Sequence, residues 1–317
     1  LPVLDDATYA LLQQRVGRTH LRQRLGIERD YESKVFGQGR TLFHIENWHA
    51  LRSIIRNSLR LVLLHERARR NARQIRVRHN HITLQRLPPA FEAFTLLQIS
   101  DLHLDMADDF PHALIEAVRH VNYDLCVLTG DFKAETSGPY AAALHGLQQV
   151  RTHLQGEVYG VLGNHDTICM VPAMESMGIR MLLNEEVALQ REGEAIYLAG
   201  IDDPHYYRAD NIEKAGDAIP EGALSILLAH SPEIYRHAAH ADFDVMLCGH
   251  THAGQICLPG GFALMCNAAC PRKYCTGAWR YHNLSGYTSA GSGACVVDLR
   301  LNCPPEITLH HLHCVAT

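Results

Sequence analysis

The sequence predicts an α/β body behind a basic helical arm, and three observations carry that expectation. From about residue 91 onward, short apolar segments alternate with segments of helical length. The apolar segments are greasy throughout, so their strands need cover on both faces, which helices provide. Charge is also divided unevenly. Residues 1–90 hold 17 Lys and Arg against 7 Asp and Glu, leaving 12 of the 29 basic and 27 of the 34 acidic residues for 91–317. At 317 residues and 47% hydrophobic, the chain has material for a large core.

The arm, residues 1–90, begins with a helical pattern from Asp5 to about Leu25. A stronger one runs from about Ile45 to Ile75, with Trp48, Leu51, Ile55, Leu59 and Val62 on one face. Arg52, Arg56 and Arg60 recur on another face, followed by Arg67, Arg69, Arg70 and Arg73. Such a helix either rests on anionic lipid or packs on the body with its arginines in solvent. No apolar run approaches the roughly 18 residues of a membrane-spanning helix. Pro88 and Pro89 then stop helical structure.

In the body, 91–317, strands are expected at "FTLLQIS", "YDLCVLT", "EVYGVLG", "AIYLAG", "LSILLAH" and "FDVMLC". Helices are expected at "PHALIEAVRHV" and "PYAAALHGLQQV", and residues 260–292 read as long irregular loops. "LHHLHC" near the carboxyl end reads as a strand with surface histidines. The ten cysteines contain no Cys-x-x-Cys pair, so reduced thiols are expected, with a small extra metal site at Cys266, Cys270 and Cys275 as the alternative.

Nearly every strand stops at a group able to bind a metal. In order come Asp101 and His103, Asp131, Asn164 and His165, His230, and His250 with His252. In open α/β sheets ligands gather beyond the carboxyl ends of strands, so separate segments would feed one crevice. The series Asp-x-His, Gly-Asp, Gly-Asn-His-Asp, His and Gly-His-x-His resembles the calcineurin-like metallophosphoesterase family over about residues 91–317.

That resemblance implies a sandwich of two central β-sheets flanked by helices, and two divalent metal ions. By position, Asp101, His103 and His252 would hold the first, and Asn164, His230 and His250 the second, with Asp131 bridging. His165 would face substrate as general acid or charge stabiliser, with Asp166 orienting it. Two such ions clamp the attacking and leaving oxygens of an in-line displacement and lower the pKa of a shared water. Mixed imidazole, carboxylate and amide ligands suit Mn first, or Fe or Zn, over Mg.

No phosphate-binding Gly-x4-Gly-Lys-Ser/Thr loop, Gly-x-Gly-x-x-Gly, His-Glu-x-x-His or Gly-x-Ser-x-Gly occurs, which removes nucleotide-driven work and serine hydrolysis. "GHTHAGQICLPG", "PRKYCTG" and "LRLNCPPEITL" resemble the bacterial membrane-associated branch that includes UDP-2,3-diacylglucosamine pyrophosphatase. With residues 45–75 as a contact for anionic membrane, this implies a lipid-linked phosphoester substrate. It also implies a cytoplasmic protein, peripheral on the inner face of the bacterial cytoplasmic membrane. Arg272, Lys273 and Arg300 are candidate phosphate contacts. The alternatives are a soluble nucleotide phosphodiesterase, and a non-catalytic lipid or nucleic-acid binding subunit. Without a stacking platform or known motif, nucleic acid is not expected as a partner.

Overall fold

The computed structural model describes residues 4–32 and 49–315. Apolar strands carry side chains to both faces, and the result is two stacked sheets, each with one face inward and the other under helices. The first sheet contains β1 (Arg76–Leu84), β2 (Thr95–Ile99), β3 (Leu125–Leu128), β4 (Val158–Gly160), β5 (Ile179–Met181) and β14 (Glu306–Cys314), in the order β1-β14-β2-β3-β4-β5. The second contains β6 (Glu185–Arg191), β7 (Glu194–Gly200), β8 (Ser225–Leu228), β9 (Val245–Cys248), β12 (Gly277–Tyr281) and β13 (Leu284–Thr288), in the order β12-β13-β9-β8-β7-β6. A short hairpin of β10 (Cys257–Leu258) and β11 (Phe262–Ala263) stands apart. Strands β2 to β5 are parallel, as are β7, β8, β9 and β13, so their carboxyl ends point the same way within each sheet.

Alternation divides the core. Leu96, Leu125 and Val127 meet Ile226, Leu228, Val245 and Leu247 between the sheets. The intervening Leu97, Ile99, Cys126 and Leu128 pack on α5 (Phe110–Val118), α6 (Ala141–Arg151) and α7 (Val171–Ser176). Leu227 and Met246 pack beneath α8 (Ile212–Gly216) and α9 (Tyr235–His240).

The amino-terminal segment carries the expected helices, divided and packed in more detail than the sequence predicts. Its first helix is two, α1 (Asp6–Val16) and α2 (Arg18–Glu32), because Gly17 turns at a φ of 86°. Leu12, Val16, Leu21 and Leu25 are buried in the body's own core. The second expected helix is also divided, into α3 (His49–Leu61) and α4 (His65–Asn71), with Leu63 at a φ of 59° between them. Trp48 and the side chain of Leu51 lie outside the described residues. Leu59, with Ile55 beside it, packs on Val297, Leu299 and Leu301, whereas Val62 is exposed. Residues 76–84, within the expected helical arm, are instead strand β1, paired with β14. The loops expected over 260–292 include the β12–β13 hairpin. In β14 the outward histidines are His311 and His313, while His310 is buried and bonds Gln98. Among the described residues no helix is long and apolar enough to cross a membrane.

Candidate metal centre

Five of the parallel strands end in tight turns that carry ligating side chains over the sheet edge. Beyond β2 lie Asp101 and His103, beyond β3 Asp131, beyond β4 Asn164 and His165, beyond β8 His230, and beyond β9 His250 and His252. None of these is more than 6% exposed. Asp101, His103, Asp131, His250 and His252 have φ values of 52°, 42°, 60°, 70° and 48°. Left-handed backbone at five non-glycine positions is costly and collects where function demands a geometry.

The donors form two groups that share Asp131. Ligand atoms of Asp101, His103 and Asp131 lie within 4.8 Å of one another, as do those of Asp131, His230 and His250. His252 Nε2 is 3.1 Å from His103 Nε2 and 3.3 Å from Asp101 Oδ1. Asn164 Oδ1 is 3.0 Å from His230 Nε2, which is itself 3.1 Å from Asp131 Oδ2. All seven side chains therefore meet. Backbone carbonyls select two tautomers: His103 Nδ1 donates to Lys133 O at 2.8 Å, and His230 Nδ1 donates to Thr129 O at 2.7 Å. Both Nε2 atoms are left facing inward.

Electrostatics also favour a cation. Burial raises the Asp101 carboxyl above its ordinary range. Burial opposes the Asp131 charge too, but His230 and His165 hold it well below the usual carboxylate range. For His230, burial disfavours a proton, yet Asp131 and then Asp101 push its pKa up to about 10. Burial keeps His250 and His252 neutral and lowers His165 to about 3. Two buried carboxylates thus face one another among imidazoles, a position that a divalent ion fills well. His250 Nε2 and His165 Nδ1 are buried without a hydrogen-bond partner, at about 1–3 kcal/mol each. The donor chemistry and the orphaned His250 nitrogen fit a bound metal.

Two glycines admit the turns. A Cβ at Gly249 would strike Ser100 Oγ and Asp101 Oδ2, and one at Gly163 would strike Asp131 Oδ1. Asp166 does not meet the His165 ring as expected. Its carboxylate accepts from the backbone N–H groups of Asp131, Phe132 and Gly163, each at 2.8 Å. It thereby holds the Asp131 turn, and burial, with Asp131 beside it, raises its pKa to about 6.

The expected phosphate contacts lie elsewhere. Arg300 is fully buried, donating to His252 O at 3.2 Å and to Gly291 O and Gly293 O with its guanidinium beside the His252 ring, so it backs a histidine and faces no solvent. Arg272 is exposed, and its guanidinium donates to Ala263 O and Leu264 O above the Phe262 ring. Lys273 lies over the Tyr274 ring. Cys270 and Cys275 stand 3.8 Å apart without a disulfide.

Three contributors escaped the sequence reading. His205 follows β7 and packs with its ring centroid 4.1 Å from that of His250, the two rings tilted by 46°, and is anchored at 2.8 Å to Glu233. Its signal was present, since "DDPH" ends an apolar strand like the other blocks. Cys295 has its Sγ 3.7 Å from His165 Nε2 and joins His103 and His252 as a further set of close donors. From α2, Arg24 donates to Asp202 at 3.1 Å and to Asp166 O at 3.0 Å, while Glu28 accepts from Thr167 Oγ1 at 2.6 Å and Ile168 N at 2.9 Å. A helix distant in sequence thus grips the Gly163–Thr167 loop.

Comparison with known proteins accords with this geometry. Residues 94–268 match the calcineurin-like phosphoesterase superfamily domain. The chain is 28% identical over 256 residues to the metallophosphoesterase YkoQ of Bacillus subtilis, covering 78% of this chain and 93% of that protein. It is 28% identical over 249 residues to a bovine transmembrane protein with metallophosphoesterase domain, covering 72% of this chain and 54% of that one. Phosphodiesterase YaeI of Escherichia coli is 28% identical over 169 residues, covering 49% and 57%.

Proposed function

The chain belongs to the calcineurin-like phosphoesterase superfamily of metal-dependent hydrolases, and from that membership we propose a two-metal phosphohydrolase acting on a phosphodiester or pyrophosphate in a lipid-linked substrate. The meeting of seven donors in two groups that share Asp131 carries this reading. Asp101, His103 and His252 would hold one ion, Asn164, His230 and His250 the other, and Asp131 both. When bound, the ions supply Lewis-acid polarisation of the phosphoryl group and a nucleophile at neutral pH. Residues 91–317 form the catalytic unit in this reading, with 1–90 joined to it.

The chain's own groups shape the rest. Asp166 fixes the bridging Asp131 through three backbone N–H groups. His165, kept neutral by burial, serves as hydrogen-bond donor to the charge developing on the phosphoryl oxygens, in preference to full proton donation. Arg300 holds the ring of His252.

The lipid-linked substrate rests on the outer surface. Leu61, Val62 and Leu63 are 85%, 57% and 89% exposed at the α3–α4 corner. Exposed Arg56, Arg60, Arg67, Arg69 and Arg70 accompany them. An apolar tip among arginines suits anionic headgroups, and a relative is named as a transmembrane protein. UDP-2,3-diacylglucosamine, on the inner face of a bacterial cytoplasmic membrane, is the substrate we favour, with Mn as the first metal to supply.

Turnover of an aryl phosphodiester by metal-loaded protein should vanish with a chelator and return with Mn. A diacylated UDP-sugar should be cleaved faster than a cyclic nucleotide. Preference for the cyclic nucleotide would instead assign a soluble nucleotide phosphodiesterase.

A further inference from the structure

Cys295 sits in the loop between β13 and β14, and the turn of His250 and His252 pins it. Gln255, three residues beyond His252, donates from Nε2 to Cys295 O at 2.8 Å and accepts from Cys295 N at 2.7 Å. A second bond from Gln255 Nε2, to Val297 O at 3.0 Å, holds the loop beyond the cysteine. The glutamine of "GHTHAGQ" therefore fixes the cysteine backbone to the turn that carries two of the donors.

The side chain is placed accordingly. Ligand atoms of His103, His252 and Cys295 lie within 4.8 Å of one another, and the two Nε2 atoms are 3.1 Å apart. An ion with bonds of about 2.0–2.1 Å to nitrogen and about 2.3 Å to sulfur keeps adjacent ligands roughly 2.9–3.6 Å apart at angles of about 90–109°. Small side-chain adjustments would meet that spacing. His165, 2% exposed, borders the cluster, with its Nε2 3.7 Å from Cys295 Sγ.

We propose that Cys295 supplies a thiolate to the first metal position, beside Asp101, His103 and His252, and tunes that position toward Zn or Fe. This rests on the two-metal reading above. On binding, the thiol loses its proton to solvent and the sulfur becomes a ligand, with no change of oxidation state. Thiolate is a soft donor, which favours Zn and Fe over Mn, the metal that oxygen and imidazole alone would admit. The two positions would then differ, one with sulfur and one without.

Cobalt loading of the full chain tests this. Wild type, Cys295→Ser and Cys295→Ala are each loaded with Co(II), bound cobalt is counted by elemental analysis, and folding is checked by thermal melting. The expected result is a near-ultraviolet thiolate-to-cobalt band in wild type, lost in both variants while two cobalt ions remain bound. Zn affinity of the first position should fall on the order of tenfold or more in the variants, with Mn affinity little changed. Two bound cobalt ions without that band, or a band undiminished in Cys295→Ser, would overturn the thiolate assignment and leave the two-metal reading standing. Failure of wild type to bind cobalt would overturn both.

Discussion

Asp131 stands in both donor groups, with Oδ2 3.1 Å from His230 Nε2 and 3.8 Å from His103 Nε2. Replacing it by Asn removes the one charge shared by the proposed ions. Turnover of an aryl phosphodiester should fall about a thousandfold, equivalent to about 4 kcal/mol, with metal content below that of wild type. Wild-type turnover by the Asn variant would dismiss the bridging role. Gly249→Ala is a steric counterpart, because the added methyl meets Ser100 Oγ and Asp101 Oδ2. It should lower stability by about 1–3 kcal/mol in urea titration and reduce activity with it. Both residues were conspicuous in the sequence, since each belongs to a short motif directly after an apolar run. Cys295 was not, because its only link to the centre is a fold in which residues 103, 252 and 295 become neighbours. Arg300 misled for a related reason. Arginine suits phosphate chemically, but its sequence position does not tell that the side chain is enclosed.

Helix α2 is the clearest case of an element whose role depends on packing. Arg24 is fully buried between Glu28 and Asp202, its guanidinium 3.3 Å from the centroid of the Tyr207 ring. Removing it leaves two buried carboxylates uncompensated, at a cost of about 3–5 kcal/mol. Arg24→Met should therefore lower the melting temperature by roughly 5–8 °C, a shift that calorimetry would read. Activity should fall further than the lost stability explains, since Asp166 O loses its donor. An unchanged melting temperature would refute the clamp. Periodicity located helix in this region but not its attachment, because an amphipathic pattern states which face is apolar and not what covers it. The central strands were legible for the opposite reason: buried on both faces, "LLQI", "LCVL" and "VMLC" admit little else. Strand β1 was overlooked because its first six residues show no buried side chain. The β12–β13 hairpin was hidden among glycine and polar residues.

Across the molecule, the two sheets deliver their parallel strand ends to one edge, which helix α2 supports from the amino-terminal side and strand β14 from the carboxyl-terminal side. The α/β class and the crevice at the strand ends were legible from order alone. The connection between chain ends was not, because pairing partners so far apart leave no local trace. β14 lies between β1 and β2, with His311 opposite both His81 and Thr95. Glu306, at its start, bonds Tyr287 and the backbone of Ala290 just before the loop of Cys295. A ribosome making this protein must therefore release residue 314 from its exit tunnel before the first sheet can close. Until then the nascent β2 keeps a raw edge, which trigger-type chaperones and proteases could find. Stalled chains ending near residue 300 should be cut rapidly by a pulse of protease, whereas chains extended by a spacer beyond 314 resist; equal resistance of the two would show that closure does not await the last strand.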